Sequence, residues 1–265
     1  MVDLKKICDE VVIAVLETEK FILQESGNFE ISRTETKGLH DFVSYVDKGS
    51  EGILVDRLSL ILPEAGFIAE EGTSSKTGVR YCWVIDPLDG TTNFVHGIHP
   101  YAISVGLTDN GEPVAGVVCD VGTNEIFRAW QNGGAWLNDK TIKVSGASRL
   151  ADSLVATGLP YNNFSRLEKY MLCLTHFCKT THGIRRLGSA SIDLAYVACG
   201  RFEAFYEYDL KIWDVAAGII ILREAGGRIS DFSGNEKNLD GKEIVAANNL
   251  VFPEFLENVS KFMQE

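Results

Sequence analysis

Residues 4–16 place Leu4, Ile7, Cys8, Val11, Val12, Val15 and Leu16 at helical spacing, which predicts an amphipathic helix with one apolar face. A second helix is expected after Asp47, carrying Ile53, Leu54, Leu58, Ile61 and Leu62 and stopping at Pro63. Phe67-Ile68-Ala69 and Tyr81-Cys82-Trp83-Val84-Ile85 are short apolar runs bounded by acids and turn residues, and read as strands. Tyr101–Leu107 and Pro113–Cys119 flank Asp109-Asn110-Gly111, a hairpin signal. Asn124–Trp130 and a turn at Asn132-Gly133-Gly134 extend this into an antiparallel meander. Beyond residue 145 the pattern changes. Leu154–Gly158 reads as a strand, helical patterns recur near 164–178, 190–199 and 214–225, and strand-like runs stand at 202–206 and 244–247. The chain is therefore expected to form an α+β half over 1–145 and an α/β half over 146–265.

Composition places this pattern in an ordinary globular protein. Of 265 residues, 45% are hydrophobic and 23% charged, enough to bury a sizeable core and too apolar for a disordered chain. The formal net charge of −12 would repel a phosphate backbone, so nucleic acid is not an expected partner. The six cysteines form no C-x-x-C, and several lie inside apolar runs, as buried reduced thiols do. The start Met-Val-Asp-Leu-Lys-Lys lacks a signal-peptide pattern, and no run approaches the roughly 18 apolar residues of a membrane span. A cytoplasmic location is the expectation, with no membrane partner.

Several chemistries are excluded by motif. No two glycines stand two apart, so there is no G-x-G-x-x-G; Gly241-Lys242 is followed by Glu243, so there is no P-loop; and there is no G-x-S-x-G elbow. The informative stretch is Trp83-Val84-Ile85-Asp86-Pro87-Leu88-Asp89-Gly90-Thr91-Thr92-Asn93-Phe94. A buried strand would end in Asp86, with Pro87 stopping the ladder and forcing a turn. Asp89 then falls close enough to share a site with Asp86. Two carboxylates about 4 Å apart at an effective dielectric of about 20 repel by about 4 kcal/mol. A divalent cation would remove that cost, and oxygen ligands suit Mg²⁺. The amides of the Gly90-Thr91-Thr92 turn, at a helix start, would form an anion site. Further acids stand at Glu70-Glu71 after an apolar strand, at Asp214 opening an apolar helix, and at Asp41 and Asp47. Each alone has an ordinary explanation as a surface acid or helix cap. Their combination with D-P-L-D-G-T-T points to one site.

On these residues the sequence resembles the inositol monophosphatase family of Mg²⁺-dependent, lithium-sensitive phosphatases. Trp83–Asn93 looks like the family's first signature and Trp213–Gly218 like its second, with Gly188-Ser189-Ala190 and Phe205-Tyr206-Glu207 extending the match. The resemblance implies a layered α-β-α-β-α sandwich of the inositol monophosphatase and fructose-1,6-bisphosphatase type, a homodimer, and two or three Mg²⁺ per site. Residue by residue, it implies Glu70, Asp86 and the Leu88 carbonyl as ligands of one metal, and Asp86, Asp89 and Asp214 as ligands of a second. Glu70 would also reach a third metal through water. Thr91 and Asp47 would hold and polarise the attacking water, and the Gly90 and Thr91 amides would meet the phosphate. Gly188, Ser189, Ala190 and Glu207 would contact the hydroxyl-bearing ring of the substrate.

The implied activity is hydrolysis of a small phosphorylated cyclitol or sugar, with myo-inositol 1-phosphate leading. Rivals are fructose 1,6-bisphosphate, histidinol phosphate, NADP and 3′-phosphoadenosine 5′-phosphate, or a non-catalytic metal-binding role. Asp209, close after Glu207, stands where many relatives carry an uncharged residue, and would either reshape substrate choice or face solvent. Lys179, Arg185 and Arg186 form a local basic cluster expected at the surface or a dimer contact, with a second anion site as the alternative. His96 and His99 are expected to pack rather than ligate, because a hard Mg²⁺ site takes oxygen.

Overall fold

A computed structural model describes residues 2–27, 34–38, 41–74, 76–78 and 80–263. The side chain of Asp41 lies outside what is described. Seven strands form one sheet in chain order: β3 (Gly66–Ala69), β4 (Tyr81–Asp89), β5 (Ala102–Asp109), β6 (Glu112–Asp120), β7 (Glu125–Trp130), β8 (Ala135–Leu137) and β9 (Lys140–Ile142). β3 runs parallel to β4, and every later pair is antiparallel. The β5–β6 hairpin closes on Asn110 (φ 52°) and Gly111 (φ 86°), the left-handed pair that a two-residue turn with strand-matching twist requires. The chain crosses to the second sheet between Ile142 and Leu154. There β10 (Leu154–Thr157), β11 (Gly183–Arg185), β12 (Ala204–Tyr208), β13 (Gly227–Ser230) and β14 (Glu243–Asn248) lie in the order β11-β10-β12-β14-β13. A hairpin of β1 (Thr34–Gly38) and β2 (Asp41–Ser44) stands apart from both.

Helices separate and cover these sheets. α1 (Leu4–Ser26) and α2 (Tyr45–Ile61) pack on the outer face of the large sheet, against β6, β7 and β4. α5 (Ala190–Ala198) and α6 (Ile212–Glu224) lie between the two sheets. α4 (Leu167–Thr180) and α7 (Phe252–Met263) cover the far side of the small sheet. The result is the expected five-layer α-β-α-β-α arrangement, with an apolar cluster at each level where helices meet a sheet. The residue pattern explains the placement. α1 buries one stripe (Ile7, Val11, Val15, Ile22) and leaves Ile13 and Lys20 outside, as a one-sided helix does. α6 buries Val215 through Leu222 on all sides, which suits a helix held between two sheets.

Three details differ from the sequence expectation. Pro87 does not end β4, which continues to Asp89 through a bulge. Proline is tolerated at a bulge because no ladder hydrogen bond is required of it there. α2 begins earlier, at Tyr45, because Ser44 caps it. α7 adds a helix beyond the patterns singled out above, burying Phe252, Phe255, Val259 and Met263. Among the described residues no helix is long and apolar enough to cross a membrane.

The seating of α6 on the large sheet depends on small residues. A Cβ at Gly116 on β6 would meet Ile220 Cγ2 at 2.7 Å and the Ala217 Cα at 2.8 Å. Gly116→Val is expected to lower stability by about 2 kcal/mol or more, since the obstructing atoms include backbone. Gly52 in α2 has open space at its Cβ, so Gly52→Ala is expected to raise stability by about 1 kcal/mol. Urea denaturation of both variants checks the pair; a neutral Gly116→Val would show that α6 does not sit as closely on β6 as described.

Candidate active site

The β4 bulge decides the site. Residues three apart on a regular strand face opposite sides of the sheet. Here Asp86 pairs with Ser104 and Asp89 with Ala102, so three steps on β4 match two on β5. The extra residue turns Asp86 and Asp89 to the same side. Asp86 Oδ1 accepts the Leu88 N–H at 2.9 Å, replacing the ladder bond that the bulge interrupts. Asp214 arrives from the middle layer as the third residue of α6, its Oδ2 accepting the Lys211 N–H at 2.7 Å in a capping bond. Carboxylate oxygens of Asp86, Asp89 and Asp214 all lie within 4.8 Å of one another.

This gathering is electrostatically costly. Burial pushes Asp86 well above the ordinary carboxylate range, and Glu70, Asp89 and Asp214 push it further. Burial and then Asp89 raise Asp214 to about 7. Asp89 is raised by burial, while three hydrogen bonds to its Oδ2 oppose the shift: from Ser191 Oγ at 2.5 Å, Ser189 Oγ at 2.7 Å and Ser191 N at 2.8 Å. The two serines belong to the start of α5, so the second half of the chain fixes the orientation of an acid from the first.

Thr91 stands at the start of the one-turn helix α3 (Thr91–Val95), directly after Gly90 at φ 92°. A Cβ at Gly90 would press on the carbonyls of Gly188 and Pro100 at 3.1 and 3.2 Å, so the position calls for glycine on both counts. Thr91 Oγ1 lies 3.0 Å from both Asp47 Oδ1 and the Leu88 carbonyl. Its single hydroxyl hydrogen can serve one of them at a time. Asp47 is buried, and burial raises its pKa against the bonds from Ser44 and Thr91. Its Oδ2 caps α2 by accepting Ser44 N and Oγ at 2.8 and 2.6 Å, which leaves Oδ1 for Thr91. Glu70 follows β3, and buried Glu51 of α2 holds the turn after it, accepting the Glu71 and Thr73 N–H groups at 2.7 Å each.

A cleft of about 370 Å³ collects these groups. Glu70, Asp86, Leu88, Asp89, Gly90, Thr91 and Asp214 line it, together with Gly188, Ser189, Ala190 and Glu207. Asp47 stands behind Thr91 rather than in the lining. The Ser189 hydroxyl is engaged by Asp89. Buried Glu207 lies against Gly158, where a Cβ would fall 1.8 Å from Oε1. Burial, then Asp214, push Glu207 well upward, and Arg186 opposes them.

Sequence reasoning missed several of the supporting residues. Arg186, expected with Lys179 and Arg185 at the surface or a dimer contact, is exposed and also lines the cleft, donating to Tyr161 Oη at 2.9 Å. Asp209, expected either to reshape substrate choice or to face solvent, lines it as well. Asn93 Nδ2 donates to the Pro100 and Leu187 carbonyls at 2.7 and 2.8 Å, tying α3 to the loop before α5. Ser191, Glu51 and Gly158 act on partners distant in the chain, such as Asp89 for Ser191. No local motif marks them. His99, as expected, packs, stacking on Tyr101 at 4.6 Å between ring centroids.

The donor set fits a hard divalent cation. Three carboxylates held together against their own repulsion offer oxygen and charge, and among the described residues no nitrogen or sulfur ligand of a softer metal joins the cluster.

Comparison with known proteins gives the family of the chain. The profile of the Inositol monophosphatase family matches residues 3–264. The inositol-1-monophosphatase of Rhizobium meliloti (strain 1021) is 41% identical over 255 residues, covering 96% of this chain and 93% of that protein. A putative Nus factor SuhB of Neisseria meningitidis serogroup A is 42% identical over 242 residues, covering 91% and 93%. The crystal structure of extragenic suppressor protein suhB from Bartonella henselae superposes with a TM-score of 0.89 at 36% identity, covering 96% of this chain and 98% of that one. With the profile spanning nearly every residue and the layered fold shared, the chain belongs to the inositol monophosphatase family.

Proposed function

We propose that this protein hydrolyses a small phosphate monoester, with myo-inositol 1-phosphate as the preferred substrate, at a Mg²⁺-loaded carboxylate site. The observation that carries the reading is the convergence of Asp86, Asp89 and Asp214 beside the Thr91–Asp47 hydrogen bond in one cleft. Glu70, Asp86, the Leu88 carbonyl, Asp89 and Asp214 would hold two or three ions. When bound, the ions supply charge neutralisation for the phosphate dianion, a lowered pKa for water, and stabilisation of the leaving alkoxide.

The chain's own residues supply position and proton transfer. Thr91 orients the attacking water through its hydroxyl without adding charge. Asp47, its pKa raised by burial, accepts a proton relayed through Thr91 Oγ1. The water oxygen forms the new P–O bond in line as the bond to the leaving oxygen breaks, and the alkoxide takes a proton from solvent. No side chain of the set acts as a separate nucleophile, so no phospho-enzyme forms. Glu207 accepts hydrogen bonds from ring hydroxyls, and Gly188 and Ala190 shape the wall beside it. The reading includes a homodimer and a reduced cytoplasmic setting, and the net charge of −12 supports a role away from nucleic acid.

A second reading comes from the relative named as a putative Nus factor: a non-catalytic binding role on the same fold. The intact acid set and the Thr91–Asp47 contact favour catalysis.

The deciding measurement is phosphate release from a panel of cyclitol, sugar and nucleotide monoesters, with and without Mg²⁺ and Li⁺. Mg²⁺-dependent, Li⁺-inhibited release favouring inositol 1-phosphate is expected, and Asp89→Asn should cut turnover about 100-fold or more with the fold kept. Metal binding with no release from any ester would leave the binding role in first place.

Glu207→Gln should alter the ratio of kcat/KM between cyclitol and sugar esters by about tenfold, the effect of one mismatched buried hydrogen bond. An equal loss on every ester would remove Glu207 from substrate selection.

In the metal-free protein, Asp214 titrates near 7, against about 4 for an unfolded aspartate. Between those values the folded state binds more protons than the unfolded state, so stability falls as pH rises from about 4 to 7. Added Mg²⁺ should therefore raise the melting temperature more at pH 8 than at pH 5. Thermal melts at both pH values test this, and equal shifts would mean the carboxylates are not the groups Mg²⁺ relieves.

A further inference from the structure

A second cleft of about 460 Å³ adjoins the first, and Asn163 and Asp209 line both. These two residues form a ridge between the cavities, and the backbone holds it in place. Asp209 takes a left-handed conformation (φ 69°), and its N–H donates to the Lys242 carbonyl at 2.9 Å. Tyr208 Oη donates to the Asn163 carbonyl at 3.0 Å.

The charges of the second cleft are mostly spent on one another. Arg166 pairs with Glu243 at 2.5 Å, and Lys242 pairs with Asp240. Asp231 accepts the Ser233 and Asn235 N–H groups and Asn235 Nδ2. Among the described residues Asp209, Asp231 and Lys237 have no ion-pair partner; Asp231 is held by its own loop, which leaves Asp209 as a charged acceptor and Lys237 as a charged donor at the lining. A second phosphate would meet one unpaired cation with an unpaired acid across from it. An acyl chain would meet polar walls. A neutral, polyhydroxylated ring finds both a hydroxyl acceptor and a hydroxyl donor.

We propose that the second cleft is a distal subsite for the leaving group, and that the substrates of this enzyme include phosphate monoesters of two-ring polyols, such as a glycosylated cyclitol or a disaccharide. The phosphate lies in the carboxylate cleft, the first ring against Glu207, and the second ring beyond the Asp209–Asn163 ridge, near Lys237. The inference rests on the hydrolase reading and extends it from the reacting phosphate to the far end of the substrate.

The test compares kcat/KM for glucose 6-phosphate, trehalose 6-phosphate and fructose 1,6-bisphosphate in the wild-type protein, Lys237→Ala and Lys237→Trp. Lys237 is exposed and outside the carboxylate cleft, so both variants should fold and keep wild-type activity on glucose 6-phosphate. The expected result is a loss of about tenfold on trehalose 6-phosphate alone in Lys237→Ala, and a larger loss when tryptophan fills the cleft. Unchanged trehalose 6-phosphate kinetics, or a loss equal on all three esters, would overturn the subsite. A loss confined to fructose 1,6-bisphosphate would overturn it too, by marking an anion site. Inositol 1-phosphate is assayed alongside to judge the hydrolase reading separately: no release from it either would sink that reading, whereas release from it alone would leave that reading standing. Calorimetry of the same esters then decides the subsite: tighter trehalose 6-phosphate binding, abolished by Lys237→Trp, supports it, and equal affinities for the two sugar phosphates overturn it.

Discussion

Mutual repulsion among buried carboxylates is the constraint around which this molecule is organised. Asp86 and Asp89 are buried and Asp214 half-buried, the three approach within 4.8 Å, and each is driven toward the protonated form. Side chains left to themselves would turn such groups to solvent. They stay because each is held by a backbone device. A bulge aims Asp86 and Asp89, a helix-capping bond pins Asp214, and two serine hydroxyls with one amide grip a single oxygen of Asp89. The cost of holding them is repulsion that a divalent cation would relieve.

The layered fold makes that holding possible. The large sheet delivers Asp86 and Asp89, the middle helices deliver Asp214, Ser189 and Ser191, and the small sheet delivers Glu207. The cleft is therefore assembled from elements that meet only because α5 and α6 are buried between two sheets. Glycines set the tolerances: Gly116 lets α6 approach β6, Gly90 brings α3 beside the Gly188 carbonyl, and Gly158 makes room for the Glu207 carboxylate. Asn93 bridges the halves with two bonds from one amide, linking the helix that starts at Thr91 to the loop before Ser189. The carboxylate cluster, the Thr91–Asp47 pair and the Glu207 side of the cleft are thus parts of one mechanical unit.

Much of the architecture is legible from local pattern. The stripe Ile7-Val11-Val15 specifies a one-sided helix, and the all-apolar Val215–Leu222 a buried one. Asn110-Gly111 specifies its hairpin because both positions need positive φ. The Phe252-Phe255-Val259-Met263 period of α7 is equally plain in the residues, although it was not among the patterns read as helical. Pro87 misleads for a physical reason. Proline ends a regular ladder, but where the partner strand skips a residue it costs nothing, and the sequence of β4 alone does not reveal what β5 does opposite it.

What the sequence determined by itself was the inventory of chemistry: an acidic pair after a buried strand, a glycine and threonines following it, a further acid opening an apolar helix, and the resemblance these carry. It determined this because a strand exit, a left-handed glycine and a helix start are local events. Tertiary structure decided what the inventory does. It turned Asp86 and Asp89 to one face, set Thr91 against Asp47 across 44 residues of chain, gave the Ser189 and Ser191 hydroxyls to Asp89 across about 100, and brought Arg186 into the cleft. Those outcomes depend on register between strands and on the docking of layers, and both are fixed by contacts between segments whose local sequences carry no information about one another.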